Sequence, residues 1–507
     1  MGHDRPGVRP AANINIRGMP ILRLMRPSIP HILLALLVLA TVVRAGAAEG
    51  SAQSTNPRHV DKIQHPKDDV FGDFSRLPWT DAFDATHQTL AREYPFTAWR
   101  GIDWRALRDR FRPKVVEAEK NRDAAAFYRA LREFVYSIPD SHMDISPKRL
   151  GKAGTETYGD LGFEASRLDD GRVIAYAIHT GGPAERSGMT PGAEIVSVEH
   201  RPTAYYVHER STLWCSNVVA TNAARELEQV ALLSRAPVGA TITFEFRNSD
   251  GHTVRQETFT AVDDRGRGRP FLRLAAFMPK PDEKLVVHRV LPSGIGYIAL
   301  FAEVPEMLDE FKVALRELMA ANVPGLILDL RLNRGGDDDA TALICGYFVK
   351  DRRLYQCCQY RNPTTGSFDI ADSETVYVEP QQPYFDRQVI VLIGHHTVSN
   401  GEGIALQLSH APKSRTLGFE ATAGAFGEAG GIIKLPKDIT VFFPYGACVD
   451  DQGGVLIDSD ARGLGGVEPQ IRVPRTYEAM LKFGQGTDVE LQVAEREVLG
   501  TGTESGR

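Results

Sequence analysis

Leu326-Ile327-Leu328-Asp329-Leu330-Arg331-Leu332-Asn333-Arg334-Gly335-Gly336 opens as an aliphatic run and closes on paired glycines. Such a run reads as a strand buried on both faces, the kind a layered α/β sheet contains. Its surroundings repeat the pattern. Ile295–Phe301 precedes it, Val389–Ile393 and Ile439–Phe443 follow, and helical periodicity covers Met307–Met319 and Asn400–Ser409. Alternating strands and helices predict an α/β domain over residues 270–475. The strand Val389–Ile393 leads into Thr397-Val398-Ser399-Asn400-Gly401-Glu402. A serine at a strand-to-helix junction is exposed, and the helix N-terminus favours negative charge developing beside it. Most serines so placed only cap the helix. Position alone therefore does not make Ser399 a nucleophile.

Upstream, residues 155–265 are β-rich with glycine turns. Arg172–Ile178, Glu194–Val198 and Thr241–Phe246 have strand character, and Asn222–Ser234 reads as an amphipathic helix. Residues 76–150 carry helical spacing, as in Ala106, Leu107, Phe111, Val115, Val116 and again in Phe127, Leu131, Phe134, Val135. Asn121 or Asp123 is suited to cap the second of these helices. The block ends at Pro139-Asp140-Ser141-His142.

The first 47 residues read as an address. Arg5, Arg9, Arg17, Arg23, Arg26 and Arg44 stand against one acid, Asp4, and the uncharged run Ile32–Val43 ends near Ala45-Gly46-Ala47. That run is too short for a bilayer, which needs about 20 residues, and the small-x-small ending is what signal peptidase reads. Export to the periplasm or beyond is the expectation, with no membrane span once the signal is removed. Residues 48–75 are polar and read as a flexible lead-in, and 476–507 as a C-terminal tail. With 59 basic and 65 acidic residues the formal charge is −6, so no basic field invites nucleic acid. Export permits a disulfide, but the spacing of Cys215, Cys345, Cys357, Cys358 and Cys448 selects none, and adjacent Cys357-Cys358 is not a CxxC pair.

Asp160-Leu161-Gly162-Phe163, Gly182-Pro183-Ala184, Gly188-Met189 and Pro191-Gly192-Ala193-Glu194-Ile195 together resemble a PDZ domain. The resemblance implies that Leu161, Gly162 and Phe163 offer backbone N–H groups to a peptide's terminal carboxylate, with strand addition alongside. The whole order of motifs resembles the tail-specific, or carboxy-terminal processing, serine proteases and their tricorn-core relatives. Its marks are Gly101-Ile102-Asp103-Trp104, Asp140-Ser141-His142, the PDZ-like insert, Gly296-Tyr297-Ile298, Asp329–Gly336, Thr397–Glu402 and Gly466-Val467-Glu468-Pro469. The family implies a multidomain α+β chain: an N-terminal helical bundle, a β-rich PDZ domain and an α/β catalytic domain of the ClpP/crotonase-like type. It also implies a protein or peptide substrate whose C-terminal tail the PDZ module captures, no cofactor, and compatibility with an oligomer.

The family has two catalytic designs. Processing proteases use a lysine base in a Thr-x-Gly-Lys-Gly stretch, but here Thr422-Ala423-Gly424-Ala425-Phe426 puts alanine in that place. Lys413 and Lys434 lie outside the motif. The tricorn-type design uses a Ser-His pair, a later nucleophile and a C-terminal carboxylate. On that resemblance Ser141-His142 matches the pair, Ser399 the nucleophile, and Asp458 the carboxylate, with Asp460 as its competitor. His142 then takes the Ser399 proton, and Gly335, Gly336 and Asn400 supply oxyanion N–H groups. The missing lysine leaves a second reading open, a non-catalytic ligand-binding protein on the same fold; a Ser-Lys protease is the third. His395-His396 precede the nucleophile, but neighbours on a strand face opposite ways, so no metal site is expected there. The Arg265–Arg269 run reads as a solvated loop.

Overall fold

The structure, a computed structural model, describes residues 58–151, 153–264 and 284–500. The expected signal segment, the Arg265–Arg269 run and residues 501–507 lie outside them.

Aliphatic alternation builds the central sheet. Six strands run in the order Val286–Val290, Gly296–Leu300, Gly325–Asp329, Gln388–Leu392, Ser414–Gly418 and Ile471–Arg472. The first pair is antiparallel and the rest are parallel. Because side chains alternate along a strand, Ile298, Leu326, Leu328 and Val391 point into one core. Tyr297, Ile327, Ile390 and Leu417 point into another. Both faces must be covered, which is why these strands read as continuous apolar runs.

Helices Leu308–Ala320, Asp338–Gly346 and Asn400–Ser409 cover the first face. The second is covered by Tyr477–Gly484 and Val489–Val498, which bury Met480, Val489, Ala494 and Val498. This corrects the expected tail: residues 476–500 are polar outside but carry enough apolar spacing to close the sheet. A buried ionic cluster fixes them there, with Arg331 bonded to Asp329, Asp488 and Glu490.

The lead-in is also ordered from residue 58. His59–Val60 pairs with Phe368–Val378, and Val70–Asp73 with Gly431–Leu435. Helices Trp79–Glu93, Trp104–Lys120 and Ala124–Val135 form the front block. Asp123 caps the last of these, its carboxylate accepting from the N–H groups of Ala125 and Ala126. The block shares one core with Ile433, Ile439, Val441 and Phe443 of the body, and Asp144–Ser146 pairs antiparallel with Ile439–Phe443. The β-rich insert is a sheet ordered Arg255–Thr260, Thr241–Arg247, Ala193–Val198, Val173–Ile178 and Phe163–Arg167. Its edge strand Phe163–Arg167 lies beside the groove helix Asn222–Ala231.

Candidate active site

Ser399 stands one residue before the helix Asn400–Ser409, at φ 58° and ψ −130°. An ordinary N-cap takes β-region angles; this positive φ is a strained conformation that the surroundings must enforce. They do so at several points. The Ser399 N–H donates to the Ala425 carbonyl at 3.0 Å, and Thr397 Oγ1 donates to the Leu330 carbonyl at 2.8 Å, tying the two strand ends together. Gly335, at φ 79°, lies so close that a Cβ there would sit 2.5 Å from Ser399 Cβ. Behind the turn, Glu402 accepts from Thr422 Oγ1 at 2.6 Å and from the N–H groups of Gly424 and Ala425. Burial pushes its pKa up to about 8.

The glycine turn differs from expectation in one respect. The Gly335 N–H is spent on Asn333 Oδ1 at 2.8 Å, so it does not face an oxyanion. Asn333 needs that bond to lock its own amide, whose Nδ2 donates to the Leu300 carbonyl and to Glu303. The Gly336 N–H takes no part in the bridge to Glu303, which uses the Gly335 carbonyl and the Asp337 N–H. Asn400 is the first helical residue, and its N–H has no intrahelical acceptor. Its side chain is fixed by Tyr355, Asp338 and the Gly336 carbonyl.

Asp140 shapes the turn carrying the expected Ser-His pair: its Oδ1 accepts from the His142 N–H at 2.9 Å, and Tyr94 donates to its Oδ2 at 2.8 Å. Arg100, fully buried, bridges Asp140 at 3.4 Å and Asp458 at 2.9 Å. It also donates to Ser459 and the Pro139 carbonyl. Nothing local marks Arg100 among the other arginines of the front block, so sequence reasoning missed it. Asp458 therefore reaches the Asp140 turn through a guanidinium and not directly. Its Oδ1 also accepts the Phe426 N–H, while Oδ2 is buried without a hydrogen-bond partner. Burial, opposed by Arg100 and reinforced by Asp140, raises its pKa to about 7. The competitor Asp460 is excluded from this cluster, holding Arg462 and its own loop instead.

Both ring nitrogens of His142 are buried without a hydrogen-bond partner, so the expected bond to Ser399 is not made. The carboxylate beside the ring is Asp140, 3.9 Å from Nδ1. Burial lowers the His142 pKa; Asp140 opposes this, while Arg100 and Arg334, next to Gly335, lower it further. Ser141 lines a small cavity together with Val398, Ala423 and His396, which brings the front-block turn to the turn carrying Ser399. The lysines are elsewhere: Lys413 pairs with Asp386, and exposed Lys434 sits on the strand paired with Val70–Asp73.

In the insert, the loop expected to cradle a carboxylate is satisfied internally. Leu161 N–H donates to the Ser234 carbonyl at 2.9 Å. The Gly162 N–H donates to Asp160 Oδ1 at 3.0 Å, and Phe163 opens the strand paired with Val173–Ile178. The chain's own carboxylate, held by His179 at 2.7 Å, occupies the amide that a peptide tail needs.

His395 and His396 also depart from expectation. They lie in a turn beyond the strand Gln388–Leu392, so strand alternation does not apply, and their rings are tilted by 41° with centroids 3.9 Å apart. His395 Nδ1 is 2.8 Å from Glu420 Oε1, and Nε2 is 3.8 Å from Glu228 on the groove helix. All five cysteines are free and buried.

The site thus places a strained serine at a helix N-terminus beside a glycine turn, on a buried parallel sheet. Residues 294–473 match the model of peptidase family S41. Among curated relatives, the carboxy-terminal processing protease CtpB of Bacillus subtilis (strain 168) is 22% identical over 231 residues, 45% of this chain and 41% of that protein. The chloroplastic carboxyl-terminal-processing peptidase 3 of Arabidopsis thaliana is 25% identical over 232 residues, 44% of this chain and 39% of that one. The chain thus spans about two fifths of the length of these relatives. Mature CPAF has a similar mixed α/β multidomain fold, with TM-score 0.57 and 15% identity, covering 84% of this chain and 98% of that one.

Proposed function

We propose that the chain is an exported serine endopeptidase that cleaves protein or peptide chains through an acyl-enzyme. The observation that carries this reading is the strained backbone of Ser399, with Gly335 against its side chain and an unclaimed amide at Asn400. Strain of this kind is maintained where it serves chemistry.

In the proposed reaction Ser399 Oγ attacks the scissile carbonyl carbon as its proton passes to His142. The oxyanion takes N–H bonds from Gly336 and Asn400. Collapse breaks the C–N bond, the imidazolium returns the proton to the leaving amine, and water then hydrolyses the ester by the same route. Ser141 and Asp458 act as positioning residues, Asp458 through Arg100. Substrate at Ser399 would give the buried, unpartnered ring nitrogens of His142 their hydrogen bond. The insert serves as a PDZ-like module beside the cleft, and substrate engages it along the groove rather than at the Asp160-filled loop.

The unbonded ring also favours a second reading, a binding protein on the same fold. A fluorophosphonate probe separates the two. The wild-type chain should be labelled and Ser399→Ala should not, with unchanged circular dichroism. A folded wild type that resists labelling at every pH tried would leave the binding reading standing.

A further inference from the structure

We propose that Glu228, His395 and His396 form a binding site for a divalent transition-metal ion of the zinc class, joining the groove helix of the insert to the turn that leads into Ser399. Their candidate donor atoms lie within 4.8 Å of one another. The 3.8 Å between His395 Nε2 and Glu228 Oε1 is too long for a hydrogen bond. It is close to the ~3.4 Å that separates two donors on one tetrahedral ion with bonds near 2.0–2.1 Å. For this pair, a closure of about 0.4 Å brings the donors to the tetrahedral separation.

The surroundings fit a ligand set more closely than a chance cluster. A metal-bound histidine typically gives its other ring N–H to a carboxylate, which fixes the tautomer and aims the free nitrogen at the ion. Here His395 Nδ1 faces Glu420 at 2.8 Å, and Glu420 is itself held by Arg475. That arrangement leaves Nε2 facing Glu228, with the tilted ring of His396 alongside. Two imidazoles and one carboxylate select zinc-like ions over calcium or magnesium, which prefer oxygen alone. The side chains of Glu228 and His395 are 25% and 21% exposed, so an ion can reach them. They also line a cavity of about 180 Å³, with room for a water or a further donor in the fourth position.

The three donors come from two separate parts of the chain. Glu228 is on the insert, and the histidines lie just before the candidate nucleophile. A bound ion therefore cross-links module and body beside the reactive turn, and holds that turn against movement of the groove helix. The alternative is a plain ion pair, with a protonated His395 between Glu228 and Glu420 and no affinity for metal.

The test uses the full chain, stripped with a chelator and titrated with cobalt(II). A single equivalent should give the intense visible absorption of a four-coordinate cobalt centre, and zinc should displace it. Glu228→Gln, which keeps the shape of the side chain, should abolish the band, as should His396→Ala. Glu420→Gln should weaken cobalt binding about 10–100-fold by releasing the ring of His395. Circular dichroism and melting of each chelated variant establish that it is folded; His396→Gln replaces His396→Ala if the latter is not. A folded wild type showing no four-coordinate band with excess cobalt, or an unaltered titration in Glu228→Gln, would overturn the proposal. Neither readout uses peptide hydrolysis, so the metal site and the peptidase reading fail or survive separately.

Discussion

His142 and Glu303 are buried titratable groups whose effects on stability have opposite signs. Burial lowers the His142 pKa below 6.5. The unfolded chain then binds the proton more tightly, so stability is lost as the pH falls through 6.5. The melting temperature of His142→Gln should fall less between pH 7 and pH 5 than that of the wild type; parallel curves would show that the ring is not desolvated. If His142 is the base, as proposed, the same shift keeps it neutral at pH 7, so the acid limb of kcat/KM should lie below 6.5. Glu303 is the reverse case. Burial raises its pKa from 4.5 to about 7, and its Oε2 has no hydrogen-bond partner. A raised carboxyl is stabilising while protonated and becomes costly as the pH rises from 4.5 through 7. Glu303→Gln keeps the acceptor for Asn333 and should gain up to about 3 kcal/mol at pH 8 relative to pH 5, read from urea midpoints at the two pH values. Sequence could single out Ser399 by its junction and His142 by its motif. It could not register Glu303 or Arg100, because burial is a property of the assembled chain.

At the scale of elements, the turn at Ser399 depends on one glycine position. Gly335→Ala meets both a positive φ and a Cβ 2.5 Å from Ser399 Cβ, so the serine must move. A displacement of the order of 1 Å costs about 100-fold in rate. We expect kcat to fall by about that factor while KM changes little. An unchanged kcat in a folded Gly335→Ala chain would show that Ser399 is not held by this contact. The elements themselves were largely legible. The strand expected at Leu326–Leu330 is observed at Gly325–Asp329, and the helix Asn400–Ser409 has the expected ends. Long apolar runs and one-sided helices report their own periodicity. The turn at His395-His396 was misread because the sequence does not mark where a strand ends, and strand geometry was carried past its last residue.

For the whole molecule, the C-terminal helices complete the sheet, and the Arg331 cluster is what couples them to it. Asp329, Asp488 and Glu490 all form ion pairs with one guanidinium. Arg331→Leu leaves buried carboxylates unpaired and should destabilise the chain by about 3–5 kcal/mol, measured by denaturant titration. A loss below 1 kcal/mol would mean that these helices dock by apolar contact alone.

From the sequence alone came the strand and helix order, the candidate serine at its junction, the absence of the motif lysine and the acidic character of the chain. Each is written locally, in periodicity, side-chain chemistry or charge. Tertiary structure decided the rest: that Asp458 reaches Asp140 through Arg100, that Asp160 fills its own loop, that the polar C-terminus closes a core, and that two histidines meet a glutamate from the insert. These depend on which surfaces become neighbours across long stretches of chain. Burial and long-range contact are fixed only by packing, and one residue's identity does not encode them.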